Sequence, residues 1–240
     1  MKSLSWIYDK QTQYWTNRLL IPIQAKLPKS QYDGLDYRMR EVTWKKHILN
    51  DSFPVYCYYP NESESLLASP TNIIQCFQDQ KVLEALALTV AWGRMTRAKV
   101  NIYQKSKPVI EKTLLKCLLS TNENNSVKVS WNLLTGKLKW GHVITSKCLH
   151  FLARSLGFEM NPPVPIDNAV FIQVVWPVFK NNIDKIRDTS SENLPKGWWD
   201  HSNSWGAYNR FMTAINCWAG VKGWTTTQLE NTLFQEYYPA

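Results

Sequence analysis

Apolar residues recur at helical spacing along most of the chain after residue 70. Between residues 79 and 92, Val82, Leu86 and Val90 fall on one face and Gly93 follows, which predicts an amphipathic helix that ends at the glycine. The same pattern predicts further helices over 108–119 with Ser106 as N-cap, 129–138, 145–156 ended by Gly157, 169–179 with Asp167 as N-cap, 203–218, and 225–237 opened by the capping box Thr225-x-x-Gln228.

The first 70 residues are less regular, because short apolar runs alternate with prolines. A helix is predicted near residues 6–20, and residues 53–60 form a strand or an extended loop. Polar stretches at 120–126 and 180–197 are predicted loops. These patterns predict a mostly α protein in which any strand lies in the first third. They suggest an N-terminal segment, 1–70, packed on a helical domain, 71–240.

Composition narrows the class of protein. The chain has 240 residues, of which 44% are hydrophobic, so it is able to bury a core and is not a disordered tail. A net charge of +9 suggests a polyanionic partner, although an inert basic surface accounts for the charge equally well. We find neither a stretch that could span a bilayer nor a signal peptide, so we expect a soluble cytoplasmic protein with no membrane partner.

The cysteines and histidines do not have the spacing of metal ligands. The five cysteines are scattered without a C-x-x-C pair, and the four histidines are also isolated from one another. We therefore expect no metal site, no iron–sulfur cluster and no cofactor.

Several of the 12 tryptophans stand among polar residues. Trp198, Trp199 and Trp205 lie close to Asp200 and His201 in the sequence. A stacking pocket for bases or sugars needs this combination, whereas core packing explains some of these tryptophans equally well.

The most informative stretch places a lysine at the start of one predicted helix and an aspartate at the start of the next. Lys147 follows the turn at Gly141, and Asp167 comes 20 residues later, after a proline-bearing segment. One helix and a returning loop can bring both side chains into one cleft. Taken singly, an aspartate before a helix is usually a cap and a lysine in a first turn is usually solvated.

This arrangement resembles the helix–hairpin–helix DNA glycosylases, and within them the 8-oxoguanine DNA glycosylase branch. The matching residues are Lys147 and Val164-Pro165-Ile166-Asp167, and the resemblance is strongest over about 136–179. It is weaker over 79–120 and 203–238 and absent before residue 70. This chain departs from the family in having one hairpin glycine, Gly141, where two are usual. It lacks the cluster-binding cysteines of the endonuclease-like branch, and the base-recognition residues of the 8-oxoguanine enzymes have no clear match.

The resemblance implies a helix–hairpin–helix fold with a small irregular or β-containing N-terminal part. It implies that Lys147 is the nucleophile and that Asp167 stabilises the positive charge that develops on the sugar. Residues expected to contact DNA are Gly141, His142, Thr145, Ser146, Arg94 and Arg97, the arginines being equally compatible with a solvated surface. Residues expected at the pocket for the flipped base are Trp198, Trp199, His201, Trp205 and Cys148.

We expect a monomer that binds double-stranded DNA and excises a modified base. The hypothesis favoured for the base is a glucosylated hydroxymethylcytosine in phage DNA, which the resemblance implies through the small antiphage glycosylases of this superfamily. The polar, Trp-rich segment 198–205 favours it, because its composition is suited to a sugar. The alternative is an 8-oxoguanine repair glycosylase with lyase activity at abasic sites. A non-catalytic DNA-binding module is the alternative of a different class, and a sugar-binding protein without DNA would leave the charge unexplained.

Overall fold

The computed structural model describes residues 2–4, 37–40, 65–93, 102, 105–159, 161–166 and 204–237. Most of these residues are helical, as predicted. The elements are β1 (Tyr37–Arg40), β2 (Ser65–Ala68), α1 (Pro70–Gln78), α2 (Val82–Trp92), α3 (Lys107–Asn124), α4 (Lys128–Gly136), α5 (His142–Ser155), α6 (Trp205–Lys222) and α7 (Thr226–Tyr237).

The described residues form two compact units. Residues 2–4 and those from 37 to 163 form the first unit, and residues 164–166 and 204–237 form the second. This division differs from the predicted boundary at residue 70. The reason is that β1 and β2, which precede residue 70, contact α2 of the first unit.

The two strands pair with each other in an antiparallel ribbon. Tyr37 lies opposite Ala68 and Arg40 lies opposite Ser65. Ala68 is fully buried, which ties the end of the ribbon to the apolar interior. Both strands lie in the first third of the chain, where the sequence predicted strand content.

Helix α5 is the central helix of the first unit, because it contacts α1, α2, α3 and α4. Its residues from Ile144 to Ala153 are all buried. A helix buried on every face is normally apolar all round. Helix α5 instead carries a lysine, a histidine and two hydroxyl side chains in its buried stretch, which marks it for closer attention.

Helix α1 was not predicted, although its start has recognisable signals. Ser69 is the N-cap, its hydroxyl accepts a hydrogen bond from the Asn72 amide at 3.2 Å, and Pro70 occupies the first turn. The predicted start of α2 at residue 79 is wrong, because Gln80 adopts a left-handed φ of 58° between the two helices. The predicted end of α2 at Gly93 is confirmed.

Helix α3 is longer than predicted. It begins after Ser106, as expected, but runs to Asn124, so the loop predicted over 120–126 is wrong over its first five residues. Thr121 is buried, and its hydroxyl lies 2.9 Å from that of Ser130 in α4. This tertiary hydrogen bond gives the polar end of the helix a partner that the local pattern does not reveal.

Helix α5 begins at His142, earlier than the predicted start at 145, and Gly141 is its N-cap. Gly157 ends it with a φ of 86°, as predicted. The Gly157 amide donates to the Arg154 carbonyl and the Phe158 amide donates to the Ala153 carbonyl. This pair of bonds is a Schellman motif, and the buried Phe158 ring completes it.

The second unit contains α6 and α7, which contact each other. Ser204 caps α6 by accepting a hydrogen bond from the Ala207 amide, and Gly223 ends α6 in a left-handed conformation. The predicted capping box is confirmed, because the Gln228 amide donates to Thr225 Oγ1 and the Thr225 amide donates to Gln228 Oε1.

Other predicted elements lie outside the described residues: the helix near 6–20, the extended segment 53–60, the helix 169–179 and the loop 180–197. No helix in the described part of the chain is both long and apolar enough to cross a membrane.

Candidate active site around Lys147

Lys147 is buried in the centre of the first unit, with only 3% of its surface exposed. It is the sixth residue of α5, so the expectation that it lies in the first helical turn is wrong. The helix begins three residues earlier than the sequence suggested, and the field of a helix N-terminus weakens beyond the first turn. The surroundings of Lys147 are therefore set by packing rather than by the helix end.

The amine of Lys147 lies over an aromatic ring. Its Nζ is 5.3 Å from the centroid of Trp92, the last residue of α2. The Trp92 ring meets Phe151 edge-on at 5.0 Å, and Phe151 lies one helical turn after Lys147 on α5. The Trp92 ring thus lies beside the amine, in the type of contact by which aromatic faces attract cations, and Phe151 packs against that ring.

His150 lies next along the same buried stretch of α5. Its ring is 4.9 Å from that of Phe151, and its Nδ1 lies 2.7 Å from the Pro163 carbonyl oxygen. Burial, and to a lesser extent the charge of Arg154, lowers the pKa of His150 to about 3, against the opposing effect of the Pro163 carbonyl. The imidazole is therefore neutral at physiological pH and donates its Nδ1 proton, because a carbonyl can only accept.

A turn of five residues, 137–141, joins α4 to α5. Leu138 and Trp140 are buried, and the indole Nε1 of Trp140 donates to the Ile102 carbonyl at 3.0 Å. Between them Lys139 is exposed and has a left-handed φ of 60°. The two buried side chains hold the turn in place and leave the side chain of Lys139 in solvent.

Four residues of this turn and of the start of α5 were predicted to contact DNA, namely Gly141, His142, Thr145 and Ser146. Gly141 is exposed and His142 is partly exposed, so both are accessible. The hydroxyl of Thr145 is buried and, among the described residues, has no hydrogen-bond partner. Its burial argues against direct contact between this side chain and DNA.

Ser146, also predicted at the DNA surface, is fully buried. Its hydroxyl donates to the Val143 carbonyl at 3.0 Å, a bond within the first turns of the same helix. This position argues for a structural role of the hydroxyl rather than contact with DNA.

Cys148 was predicted at the base pocket, and the structure places it fully inside the first unit. Burial raises the pKa of its thiol far above the usual range, and the nearby Cys117 raises it further. A thiol in this environment stays protonated and behaves as a small apolar side chain. These features argue for a packing role.

In the second unit, Val164 is held by two side chains of α6. The Tyr208 hydroxyl donates to the Val164 carbonyl at 2.9 Å, and the Val164 amide donates to Met212 Sδ at 3.1 Å. Trp205, predicted at the base pocket, is partly buried, and its ring lies 5.9 Å from that of Tyr208. Burial raises the pKa of Tyr208, and the nearby Glu230 raises it further, so the phenol stays a donor.

The remaining predicted site residues lie outside the described part of the chain: Asp167, Arg94, Arg97, Trp198, Trp199 and His201. The structure adds Trp92 and Tyr208, which the sequence analysis did not select. Trp92 lies in an almost continuous apolar run, so no local signal distinguished it from a core residue. Tyr208 has the same spacing as its buried apolar neighbours in α6.

Within the described residues, no three His, Cys, Asp or Glu side chains cluster as metal ligands would. No protein-family model, no curated protein and no solved structure matches this chain.

Proposed function

We propose that this protein is a helix–hairpin–helix DNA glycosylase, which flips a modified base out of duplex DNA and cleaves its N-glycosidic bond. The burial of Lys147 carries the proposal. Lysines are rarely fully buried, because burial removes the ammonium group from water. A lysine inside the central helix, with its Nζ over an indole ring, is therefore a candidate for a chemical role.

The proposed reaction uses an amine and a carboxylate. The lone pair of Lys147 Nζ forms a bond to C1′ of the nucleotide, while the electron pair of the C1′–N bond leaves with the base, which takes up a proton. Asp167 stabilises the positive charge that the sugar develops as this bond breaks. Loss of a proton from Nζ and opening of the sugar ring then give a Schiff base, and elimination of the 3′ phosphate cleaves the strand.

The turn between α4 and α5 supports DNA as the substrate. Gly141 and Lys139 are exposed there, and the N-terminal amides of α5 follow immediately. Exposed amides and a lysine charge at a helix N-terminus suit a phosphate group. The net charge of +9 adds a general attraction for the DNA backbone.

For the substrate base we propose a glucosylated hydroxymethylcytosine, as found in phage DNA, which would make the protein an antiviral defence enzyme. The supporting observation is the segment 198–205, which mixes three tryptophans with Asp200, His201 and two serines. Aromatic ring faces bind the C–H groups of a sugar, and the polar groups of side chains form hydrogen bonds with its hydroxyls. An 8-oxoguanine lesion lacks the sugar that this composition would serve.

Borohydride trapping tests the proposal on two matched duplexes, one with glucosylated hydroxymethylcytosine and one with 8-oxoguanine. The variants are Lys147→Gln, Asp167→Asn and the control Lys112→Gln, which removes an exposed lysine of α3. We expect wild type and the control to give a covalent adduct on the first duplex. Lys147→Gln should give none, and Asp167→Asn should lose base release, while both variants still bind duplex DNA.

Each other outcome overturns a defined part of the proposal. An adduct that forms on the 8-oxoguanine duplex alone would show that 8-oxoguanine, and not glucosylated hydroxymethylcytosine, is the substrate base. Alkali-labile abasic sites without an adduct would make water the nucleophile and remove that role from Lys147. Full base release by Asp167→Asn would exclude the proposed carboxylate. DNA binding with no product on either duplex would favour a non-catalytic DNA-binding module.

A further inference from the structure

The segment that leads to Asp167 is buried and rich in proline. Residues 162–166 are all buried, and three of them are prolines, which lack an amide proton. A buried carbonyl needs a hydrogen-bond donor. For the Pro163 and Val164 carbonyls of this segment, the donor is a side chain.

In the first unit, that donor is His150. Its Nδ1 lies 2.7 Å from the Pro163 carbonyl oxygen, a short hydrogen bond between groups that are both buried. His150 lies three residues after Lys147, on the same buried stretch of α5. The helix that carries the proposed nucleophile thus also fixes the peptide group of Pro163.

In the second unit, the next carbonyl along the chain has its own donor. Tyr208 is 1% exposed, and its hydroxyl donates to the Val164 carbonyl at 2.9 Å. The Val164 amide, the first N–H after two prolines, donates to Met212 Sδ. Two consecutive carbonyls, three and four residues before Asp167, are therefore each held by one buried side chain.

We propose that His150 and Tyr208 are positioning residues for the proposed glycosylase reaction, because each holds one carbonyl of the segment that precedes Asp167 in the sequence. This inference rests on the proposed function. Neither side chain takes part in the chemistry. A carboxylate that must meet a developing charge has to be placed within a fraction of an ångström, and a displacement of about 1 Å can cost on the order of 100-fold in rate.

The geometry of the two hydrogen bonds defines the variants. In His150→Asn the side-chain Nδ2 stands where the imidazole Nδ1 stood, so the donor to Pro163 is kept, whereas His150→Leu removes it. Tyr208→Phe removes only the hydroxyl that donates to Val164. The matched control is Thr113→Val, which deletes a buried hydroxyl that donates to the Val109 carbonyl within α3.

The experiment measures single-turnover base release with enzyme in excess, and separately the Kd for the same duplex, on both duplexes named above. We expect His150→Leu and Tyr208→Phe to slow base release by about 10- to 100-fold, with the Kd changed less than about twofold. His150→Asn should recover most of the rate, and Thr113→Val should match wild type. Thermal unfolding of each variant checks that it is folded at the assay temperature.

The two proposals fail in different ways. If wild type releases base and His150→Leu and Tyr208→Phe release it at the same rate, the positioning role is overturned and the glycosylase remains. If His150→Asn is as impaired as His150→Leu, or if the Kd rises in step with the rate loss, the side chains only support the fold. If wild type releases no base from either duplex, both proposals are overturned.

Discussion

At the scale of single residues, Lys139 adopts a conformation that costs free energy. A left-handed φ of 60° is unfavourable for a residue with a Cβ by roughly 1–2 kcal/mol, and glycine avoids this cost. The lysine side chain is exposed, so it makes no core contact that would compensate. We predict that Lys139→Gly raises the free energy of unfolding by up to about 1 kcal/mol, measured by urea denaturation, while it weakens binding to duplex DNA.

The two effects of Lys139→Gly have separate controls. Lys137→Gln removes a neighbouring exposed charge at a residue with ordinary helical φ, so it should weaken DNA binding without any gain in stability. If Lys139 neutralises one phosphate, its loss should reduce the slope of log K against log salt by about 1. A stabilised Lys139→Gly protein with an unchanged salt slope would show that this lysine does not contact DNA.

The sequence identified residue types well and their environments less well. Lys147 was selected by its spacing to Asp167, but its burial depends on four helices that surround α5 and that no local pattern describes. For the same reason Thr145, Ser146 and Cys148 were assigned to contacts with DNA or base, although the packing of α5 turns all three inward. Environment is a tertiary property, whereas spacing is a local one.

At the scale of elements, the capping box of α7 provides a clean test of local stabilisation. Thr225 is exposed, and its hydroxyl accepts from the Gln228 amide while the Gln228 side chain accepts from the Thr225 amide. We predict that Thr225→Ala lowers the free energy of unfolding by about 1 kcal/mol, because one cap bond is lost. Thr225→Ser keeps the hydroxyl and should change stability by only a few tenths of a kcal/mol. Equal losses in both variants would contradict a capping role.

Element ends were predictable where the signal is local. Two predicted helix ends are confirmed: the capping box at Thr225 and the termination of α5 at Gly157. Each depends on residues that lie within a few positions of one another in the sequence. The extension of α3 to Asn124 was missed because its support is the hydrogen bond between Thr121 and Ser130 on another helix. Local chemistry thus fixes helix caps, while tertiary contacts decide how far a polar helix end continues.

At the scale of the whole molecule, the unit boundary was the least predictable feature. The sequence suggested a break near residue 70, where the hydrophobic pattern becomes regular. The structure instead keeps β2 with α2 and divides the chain after Pro163, inside the proline-rich segment. The prolines mark this segment as extended, but only long-range packing shows that the boundary falls within it.

Stability of the molecule towards acid follows from the burial of His150. The pKa of His150 is lowered from 6.5 to about 3 in the folded protein. At a pH between these two values, the unfolded chain binds a proton at His150 that the folded chain does not bind. The free energy of unfolding therefore falls as the pH drops through this window, by up to about 1.4 kcal/mol per pH unit from this group, and the group contributes no pH dependence above it.

Urea denaturation of wild type and His150→Asn at pH 7.5, 6, 5 and 4 isolates the effect, because every other titrating group is common to both proteins. The difference between the two stabilities should change steadily below about pH 6.5, the unperturbed value for histidine. Parallel curves for the two proteins would mean that the imidazole reaches solvent in the folded state, and the hydrogen bond to Pro163 would then be too weak to position the segment before Asp167.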